Sequence, residues 1–191
     1  QHDVLMSRVG RKVRDKQLLR LIGRYLRAGV MVDGVMEATR EGTPQGGPMS
    51  PLLANILLDD LDKQLEKRGL PFVRYADDFV IFTKSQRSAE RVFASVNRFL
   101  TDKLRLVVNQ EKSRIVSYEG AEFLGFVFHG VRGTIQVSSK SLQRFKHRVR
   151  EITGRSRGIS MDHRLGSLRS YVRGWMGYFG LASQSKLFDK L

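Results

Sequence analysis

The chain has 191 residues, 41% of them hydrophobic, so a packed core is expected rather than a disordered chain. It has no cysteine, which excludes disulfides and thiolate metal sites and fits a reducing compartment. Basic side chains outnumber acidic ones by nine to four in residues 1–40, thirteen to twelve in residues 41–134 and twelve to three in residues 135–191. Basic segments around a nearly neutral middle favour nucleic acid as the partner, and the sequence contains no membrane-spanning or membrane-surface pattern.

The first part of the chain contains periodic apolar segments separated by turn signals. The pattern predicts a helix over residues 15–29, with its apolar side chains on one stripe. Asp33-Gly34 between apolar pairs predicts a hairpin. The glycine- and proline-rich loop 42–48 leads into a second predicted helix, which has Ser50 as its N-cap and leucines at every fourth position from 53 to 65.

Strands and helices alternate in the rest of the chain. Phe72 to Phe82 is predicted to form a strand, a turn and a strand, and residues 85–102 are predicted to form a helix. Three further strands of a small sheet are predicted at residues 104–116, 121–130 and 133–138. Two basic helices follow, and the first is predicted to carry, on the face opposite its apolar residues, Arg144, Lys146, Arg148 and Arg150. The change of composition puts a subdomain boundary near residues 136–140.

Two adjacent aspartates, Asp77 and Asp78, interrupt the apolar run of the predicted hairpin. Neighbouring side chains of a straight strand point to opposite faces, but at a hairpin tip both carboxylates can approach one cation. Mg²⁺ takes oxygen ligands and shares them with substrate phosphates, so the pair is a candidate metal site. The alternative is a solvated turn, which is the more frequent explanation for an isolated Asp-Asp pair.

The loop GTPQGGP, residues 42–48, is a second candidate site. Its glycines let the backbone approach a ligand closely, and it leads directly into a helix N-terminus, where free N–H groups favour phosphate. An ordinary proline–glycine turn before a capped helix is the alternative. The loop is not a P-loop, because no Gly-Lys-Ser/Thr follows it.

Four segments in chain order, GTPQGGPMSPLLANILLDDLD, RYADDFVIF, LVVNQEKSRI and EFLGF, resemble the motif series of reverse transcriptases. Their PQGGP, SPLLANI and YADD forms resemble the bacterial group II intron-encoded reverse transcriptase–maturases, and RSRGISMDHRLGSLRSYVRGWMGYF is similar to the maturase-specific thumb segment. The resemblance covers essentially the whole chain. It implies an α+β fold, with a right-hand polymerase palm of antiparallel sheet and packed helices in residues 1–137 and a helical thumb or maturase segment in residues 138–191.

The resemblance also implies roles for individual residues. Catalysis and metal binding are implied for Asp77 and Asp78. Contacts with the incoming nucleotide or the template are implied for Gln45, Gly46, Gly47, Pro48, Tyr75 and Lys112, where the lysine is a candidate proton donor to the leaving pyrophosphate. A primer grip is implied for Phe123, Leu124, Gly125 and Phe126. Contacts with the nucleic-acid backbone are implied for Arg144, Lys146, Arg148, Arg155, Arg157 and Arg173.

The activity implied by the resemblance is RNA-directed DNA synthesis with two Mg²⁺ ions, joined to an RNA-binding maturase role in splicing and retrohoming. The implied partners are an RNA template, intron RNA, a DNA primer or target and deoxynucleoside triphosphates, in the bacterial cytoplasm and away from membranes. Two alternatives remain open at this point. One is an intron-RNA-binding splicing module without polymerase function, and the other is a CRISPR-associated or defence reverse transcriptase, which shares the same motifs.

One part of the family pattern is missing from this sequence. The family takes a further catalytic carboxylate from an earlier segment, and only the end of that segment is matched here, by His2 and Asp3. The aromatic residue that selects deoxyribose and the fingers are not matched either. The expectation is therefore a palm remainder with a partial thumb, and the isolated 191 residues are not expected to polymerise.

Overall fold

The structure is a computed structural model that describes residues 1–32, 35–37, 42, 47–130, 133–155 and 158–183. This part of the chain is α+β, with helices and small antiparallel sheets. Its residues pack as two units, Gln1–Ile115 and Val116–Leu191. The resemblance implies a different boundary, after residue 137, between palm and thumb. That boundary separates functional parts and is not tested by how the residues pack, so it stays a prediction. No helix in the described ranges is both long and apolar enough to cross a membrane.

The first unit is built on α1 (His2–Lys12), α2 (Lys16–Arg27), α3 (Ser50–Lys67) and α4 (Gln86–Arg98), and a π-helical turn (Phe99–Lys103) continues α4. Side chains cap two of these helices. The carboxylate of Asp15 accepts hydrogen bonds from the N–H groups of Gln17, at 2.7 Å, and Leu18, at 3.2 Å. The Ser85 hydroxyl accepts one from the N–H of Ser88. Both helices therefore begin where the sequence predicts, because a short polar side chain satisfies N–H groups that have no partner within the helix.

The leucine stripe of α3 is the centre of the first unit. The predicted leucines at positions 53, 57, 61 and 65 are all buried, and Leu61 is 1% exposed. They form one cluster with side chains from the other three helices, namely Leu5, Val9, Ile22, Leu26, Val92, Val96 and Leu100. Leucines spaced four residues apart lie on one face of a helix, so a single stripe holds the unit together.

The predicted start of α3 is wrong by one residue. Met49 is the N-cap, and Ser50 and Pro51 occupy the first turn. The N–H of Ser50 donates to the carbonyl of Gly47 at 3.1 Å, which forms a turn before the helix. Proline suits the first turn because its missing N–H would have no partner within the helix there.

Two hairpins complete the first unit. Strands β1 (Val30–Val32) and β2 (Val35–Glu37) pair with Val32 opposite Val35, as predicted, and the turn residues Asp33 and Gly34 lie outside the described residues. Strands β3 (Phe72–Tyr75) and β4 (Asp78–Ile81) pair antiparallel with Tyr75 opposite Asp78. The second hairpin therefore has a two-residue turn.

The strand predicted at residues 104–116 is absent from the structure of this fully described segment. Arg105 has φ of +53°, and the side-chain carbonyl of Asn109 accepts hydrogen bonds from the N–H groups of Glu111 and Lys112, both at 3.1 Å. Val107 is 97% exposed. An alternation of apolar residues predicts a strand only where a neighbouring strand supplies hydrogen bonds, and this segment folds into a local turn instead.

The second unit packs two helices with a small antiparallel sheet. The sheet contains β5 (Glu122–Phe123), β6 (Phe126–His129) and β7 (Thr134–Val137) in that order, and α5 (Ser139–Thr153) and α6 (Met161–Phe179) follow. Aromatic rings dominate its core. The centroids of Phe145 and Trp175 are 4.4 Å apart, and those of Trp175 and Phe179 are 4.7 Å apart.

The position of the core makes Leu61→Ala a sharp test of the first unit. Removing this buried side chain from α3 is expected to lower the free energy of unfolding by about 2–5 kcal/mol, through lost burial and the cavity left behind. Leu52→Ala is the matched control, because the same change on the same helix removes a side chain that is 58% exposed. Urea unfolding followed by far-ultraviolet circular dichroism measures both variants, and equal losses would contradict the packing described.

Candidate functional site

The aspartate pair lies at the tip of the β3–β4 hairpin. Ala76 and Asp77 form the turn, and Asp78 is the first residue of β4. Ala76 has φ of +54°, a left-handed conformation that is unfavourable for alanine. Tyr75, opposite Asp78, is 66% exposed, and Val73 on the same face of the strand is 50% exposed. The hairpin therefore presents Asp78 and Tyr75 on its open face, with Asp77 at the tip.

Both carboxylates are available to an external ligand as far as the described residues are concerned. Asp77 and Asp78 are exposed, and neither accepts a hydrogen bond or forms an ion pair within the described part of the chain. Their oxygens are the donor type that hard divalent cations prefer. Among the described residues, no three His, Cys, Asp or Glu side chains come together as a metal site. The pair fits a divalent cation as part of a donor set, and substrate, water or further carboxylates would have to complete that set.

The three aspartates of α3, by contrast, form ion pairs within the protein. Asp59 binds Lys63 at 2.8 Å and Lys12 at 3.0 Å, and Asp60 binds Arg8 at 3.0 Å. The hydrogen bond from Lys63, followed by that from Lys12, holds the pKa of Asp59 below its usual value. The pairs with Lys12 and Arg8 join α1 to α3, so these carboxylates have a structural role and are not candidate ligands.

Arg74 is a feature of the site that the sequence analysis missed. Its side chain is 13% exposed and lies on the face of β3 that packs against the core. Its guanidinium contacts both oxygens of Asp62, with Nε 2.8 Å from Oδ1 and Nη2 2.5 Å from Oδ2. The Nη1 atom donates to Asn55 Oδ1 at 2.7 Å and to the carbonyl of Ala76 at 2.8 Å. The hydrogen bond with Asp62 raises the pKa of Arg74. An arginine at a core-facing position of a strand is the signal that could have indicated it.

The expected nucleotide-binding residues are only partly described. Gln45 and Gly46 lie outside the described residues. Gly47 is half-buried and Pro48 exposed, and both precede α3 directly. Lys112 is exposed in the turn that Asn109 caps, and no hydrogen bond or ion pair within the described ranges joins its ammonium group to the aspartates.

The expected primer-grip residues form a tight turn in the second unit. Phe123 pairs with Phe126, and the two residues between them are left-handed, with φ of +52° at Leu124 and +80° at Gly125. Positive φ at both central positions is typical of a type I′ hairpin, in which glycine is favoured. All four residues are half-buried, so they belong to the packed sheet whatever else they contact.

Both helices of the second unit hold this turn. The N–H of Ser138, at the start of α5, donates to the carbonyl of Gly125 at 2.8 Å. The hydroxyl of Tyr178, near the end of α6, donates to the carbonyl of Leu124 at 3.0 Å. A Cβ atom on Gly125 would lie 2.6 Å from the Ser141 Oγ atom and 3.2 Å from the Phe179 ring. Only glycine fits this close approach without displacing its neighbours.

The basic residues of α5 lie off its buried stripe, as predicted, and they form two edges beside it. At about 100° per residue, Arg144 and Arg148 lie on one side of the buried stripe, and Lys146 and Arg150 lie on the other. All four are exposed, and Arg148 donates to Glu151 at 2.8 Å. The buried stripe, which contains Phe145 and Ile152, separates the four residues into these two edges.

Of the other expected backbone contacts, Arg155 and Arg173 are exposed, and Arg157 lies outside the described residues. A groove of about 750 Å³ runs between α5 and α6. Its lining consists of Arg148, Ile152, His163, Gly166, Ser167, Ser170 and Tyr171. This surface offers cationic, hydroxyl and imidazole groups, which are the groups that contact phosphate and ribose.

Comparison with protein families gives two matches. Residues 11–128 match the family described as reverse transcriptase (RNA-dependent DNA polymerase). Residues 142–191 match the family described as group II intron, maturase-specific domain. The first match contains the β3–β4 hairpin and the expected primer-grip turn, and the second contains most of α5 and all of α6.

Three curated proteins illustrate the relationship. Protein YkfC of Escherichia coli (strain K12) is 29% identical over 165 residues, which cover 69% of this chain and 42% of that protein. Group II intron-encoded protein LtrA of Lactococcus lactis subsp. cremoris is 28% identical over 209 residues, with coverage of 75% and 35%. Retron Ec86 reverse transcriptase of Escherichia coli is 26% identical over 152 residues, with coverage of 78% and 44%. The matched part of this chain spans less than half the length of each relative.

The close approach at Gly125 predicts a difference between two Gly→Ala variants. In Gly120→Ala the new residue has to adopt a left-handed φ of +83°, but no atom lies within 4 Å of its Cβ. The expected loss of stability is therefore about 1 kcal/mol. In Gly125→Ala the new residue has to adopt a similar φ, and its Cβ also approaches Ser141 and Phe179 too closely. The expected loss of stability is therefore about 1–3 kcal/mol larger. Trp175 is the single tryptophan and lies in the core of the second unit, so its fluorescence during denaturation measures both. Equal destabilisation would contradict the described contact.

Proposed function

This chain belongs to the reverse transcriptase family, in its group II intron-encoded branch, and we propose that it carries the metal-binding hairpin of an RNA-directed DNA polymerase. The observation that carries the proposal is the aspartate pair at the tip of the β3–β4 hairpin. Both carboxylates are exposed and without a partner among the described residues, while each acidic side chain at positions 59, 60 and 62 of α3 is in an ion pair. Carboxylates without partners among the described residues are available to bind a cation.

Asp77 and Asp78 would hold divalent cations, which we propose are two Mg²⁺ ions. When bound, such ions activate the 3′-hydroxyl of a primer and neutralise charge on the leaving pyrophosphate. The residues themselves act by position and charge. The two carboxylates fix the reacting groups at the hairpin tip, and Tyr75, exposed beside Asp78, offers a ring against which a base or sugar can pack.

Other residues of the proposed site act on the nucleotide and the primer. Gln45, Gly46, Gly47 and Pro48 would line the nucleotide and template pocket, where the glycines allow close approach of the backbone. The exposed ammonium of Lys112 would neutralise the triphosphate or donate a proton to the leaving group. The turn from Phe123 to Phe126 would hold the primer strand, and its attachment to α5 and α6 supports a role that needs a rigid turn.

In this proposal residues 1–137 form the palm and residues 138–191 the start of the thumb and maturase segment. The partners would be an RNA template, intron RNA, a DNA primer or target and deoxynucleoside triphosphates, and the protein would act in association with nucleic acid in the bacterial cytoplasm. RNA binding would depend on the basic edges of α5 and on Arg155, Arg157 and Arg173. This affinity would be largely independent of sequence and sensitive to salt.

A second role, in RNA binding for splicing, is favoured by the surface of the second unit. Arg144, Lys146 and Arg173 are exposed, and no ion pair neutralises them within the described ranges. Binding through these residues would not need the aspartate pair. The two roles are compatible in one protein, and they are separable by mutation.

Asp77→Asn in the full-length protein is expected to abolish DNA synthesis and to leave RNA affinity within a few-fold of the wild type. The change removes a negative charge at the proposed metal site without altering the basic surface. Primer extension on an RNA template and filter binding of RNA measure the two properties. Asp102→Asn is the control, because it neutralises another exposed carboxylate of the first unit. Retained synthesis in Asp77→Asn, or loss of RNA binding with it, would contradict a catalytic role.

Neutralising the basic surface is expected to weaken RNA binding, the property that Asp77→Asn leaves intact. Replacing Arg144, Lys146 and Arg173 by glutamine should weaken RNA binding and reduce the slope of log affinity against log salt concentration by about 0.7–0.9 for each phosphate that the variant no longer neutralises. The control replaces three exposed arginines of α4, at positions 87, 91 and 98. If both triple variants change the salt dependence equally, the basic edges are not the specific RNA surface.

A further inference from the structure

The geometry points to Arg74 as the residue that positions the aspartate pair, by fixing the turn from which Asp77 and Asp78 project. This inference rests on the metal-binding role proposed above and adds a residue that lies behind the site. Arg74 is on the core-facing side of the hairpin, whereas Asp78 is on the open side. It is therefore a positioning residue and not a ligand.

The contact that matters is between the guanidinium and the turn itself. Nη1 of Arg74 donates to the carbonyl of Ala76 at 2.8 Å. That carbonyl belongs to the peptide unit that joins Ala76 to Asp77, and a peptide unit is planar. Holding the oxygen therefore fixes the plane from which the Asp77 backbone continues. It also holds Ala76 at φ +54°, a conformation that costs an alanine about 1–2 kcal/mol and persists only where neighbours impose it.

Arg74 is itself held rigidly from α3. Both oxygens of Asp62 and the side-chain oxygen of Asn55 accept hydrogen bonds from it. Asn55 and Asp62 are seven residues apart, about two turns, so they lie on one side of the helix. The leucine stripe of α3 fixes that helix in the core. A continuous chain of contacts thus runs from the core through α3 and Arg74 to the tip of the hairpin.

The geometry requires arginine rather than any cation. A planar guanidinium with five N–H groups can bind a carboxylate through two atoms and still donate to an amide and a carbonyl. A lysine ammonium is a point charge with three donors on a flexible stem and does not reproduce this fork. Arg74→Lys keeps the charge and loses the arrangement, which makes it the informative substitution.

The experiment uses the full-length protein and two readouts, binding of Mn²⁺ followed by electron paramagnetic resonance and primer extension at varied Mg²⁺ concentration. Arg74→Lys is expected to weaken Mn²⁺ binding and to raise the Mg²⁺ concentration for half-maximal synthesis, each by about tenfold or more, the usual effect of losing a group that orients ligands. RNA affinity should stay within about twofold. Arg8→Lys is the matched control, because Arg8 pairs with Asp60 of the same helix at 3.0 Å and has similar exposure.

A second variant separates positioning from stability. Arg74→Met combined with Asp62→Leu replaces a part-buried ion pair by apolar side chains, an exchange that is often neutral for folding. It removes the hydrogen bond to the Ala76 carbonyl, so it is expected to keep the melting temperature near that of the wild type and still to weaken Mn²⁺ binding. Unchanged Mn²⁺ and Mg²⁺ dependence in Arg74→Lys or in this double variant would overturn the inference, as would equal changes in Arg8→Lys.

Asp77→Asn, measured in the same assays, distinguishes failure of this inference from failure of the proposed function. If Asp77→Asn retains Mn²⁺ binding and synthesis, the proposed metal site itself is wrong. If Asp77→Asn loses both and Arg74→Lys loses neither, the metal site stands and only the positioning role of Arg74 is wrong.

Discussion

The burial of one leucine stripe constrains the whole of the first unit. The leucines of α3 at positions 53 to 65 bring three other helices into a common core, and this fixes the rotation of α3 about its axis. With that rotation fixed, its polar residues have determined positions. Asp59 and Asp60 meet cations of α1, while Asn55 and Asp62 meet Arg74 of the hairpin. The aspartate pair at the hairpin tip is therefore attached to the most buried part of the unit.

Two tight turns, one in each unit, share one structural solution. Each contains a non-glycine residue with positive φ, Ala76 in one and Leu124 in the other. In each, the carbonyl of that residue accepts a hydrogen bond from a side chain, Arg74 in the first and Tyr178 in the second. A strained turn that is held from outside keeps its shape when a ligand binds, because the strain is balanced by contacts already made. Polymerisation requires reacting groups to be positioned closely, so rigid turns suit the proposed function.

Much of this organisation could be predicted because it depends on neighbours in the sequence. The caps at Asp15 and Ser85, the leucine spacing of α3 and the β3–β4 hairpin follow from local patterns, and family membership follows from motifs in order. The failures were non-local. The segment 104–116 has the alternation of a strand but pairs with no strand among the described residues. The core-facing position of Arg74 in the strand pattern could have indicated it, but its partners on α3 are known only from the fold.

The sequence by itself determined the family, the basic surface of the C-terminal part and the identity of the aspartate pair, because these are properties of residue type and order. Tertiary structure alone decided which of the aspartates have partners among the described residues. The aspartates of α3 and those of the hairpin are chemically equivalent in the sequence, and only packing gives the former cationic partners and leaves the latter open to solvent. The physical reason is that an ion pair depends on distance in space, which the fold of α1, α3 and the hairpin sets across 12 to 52 residues of chain.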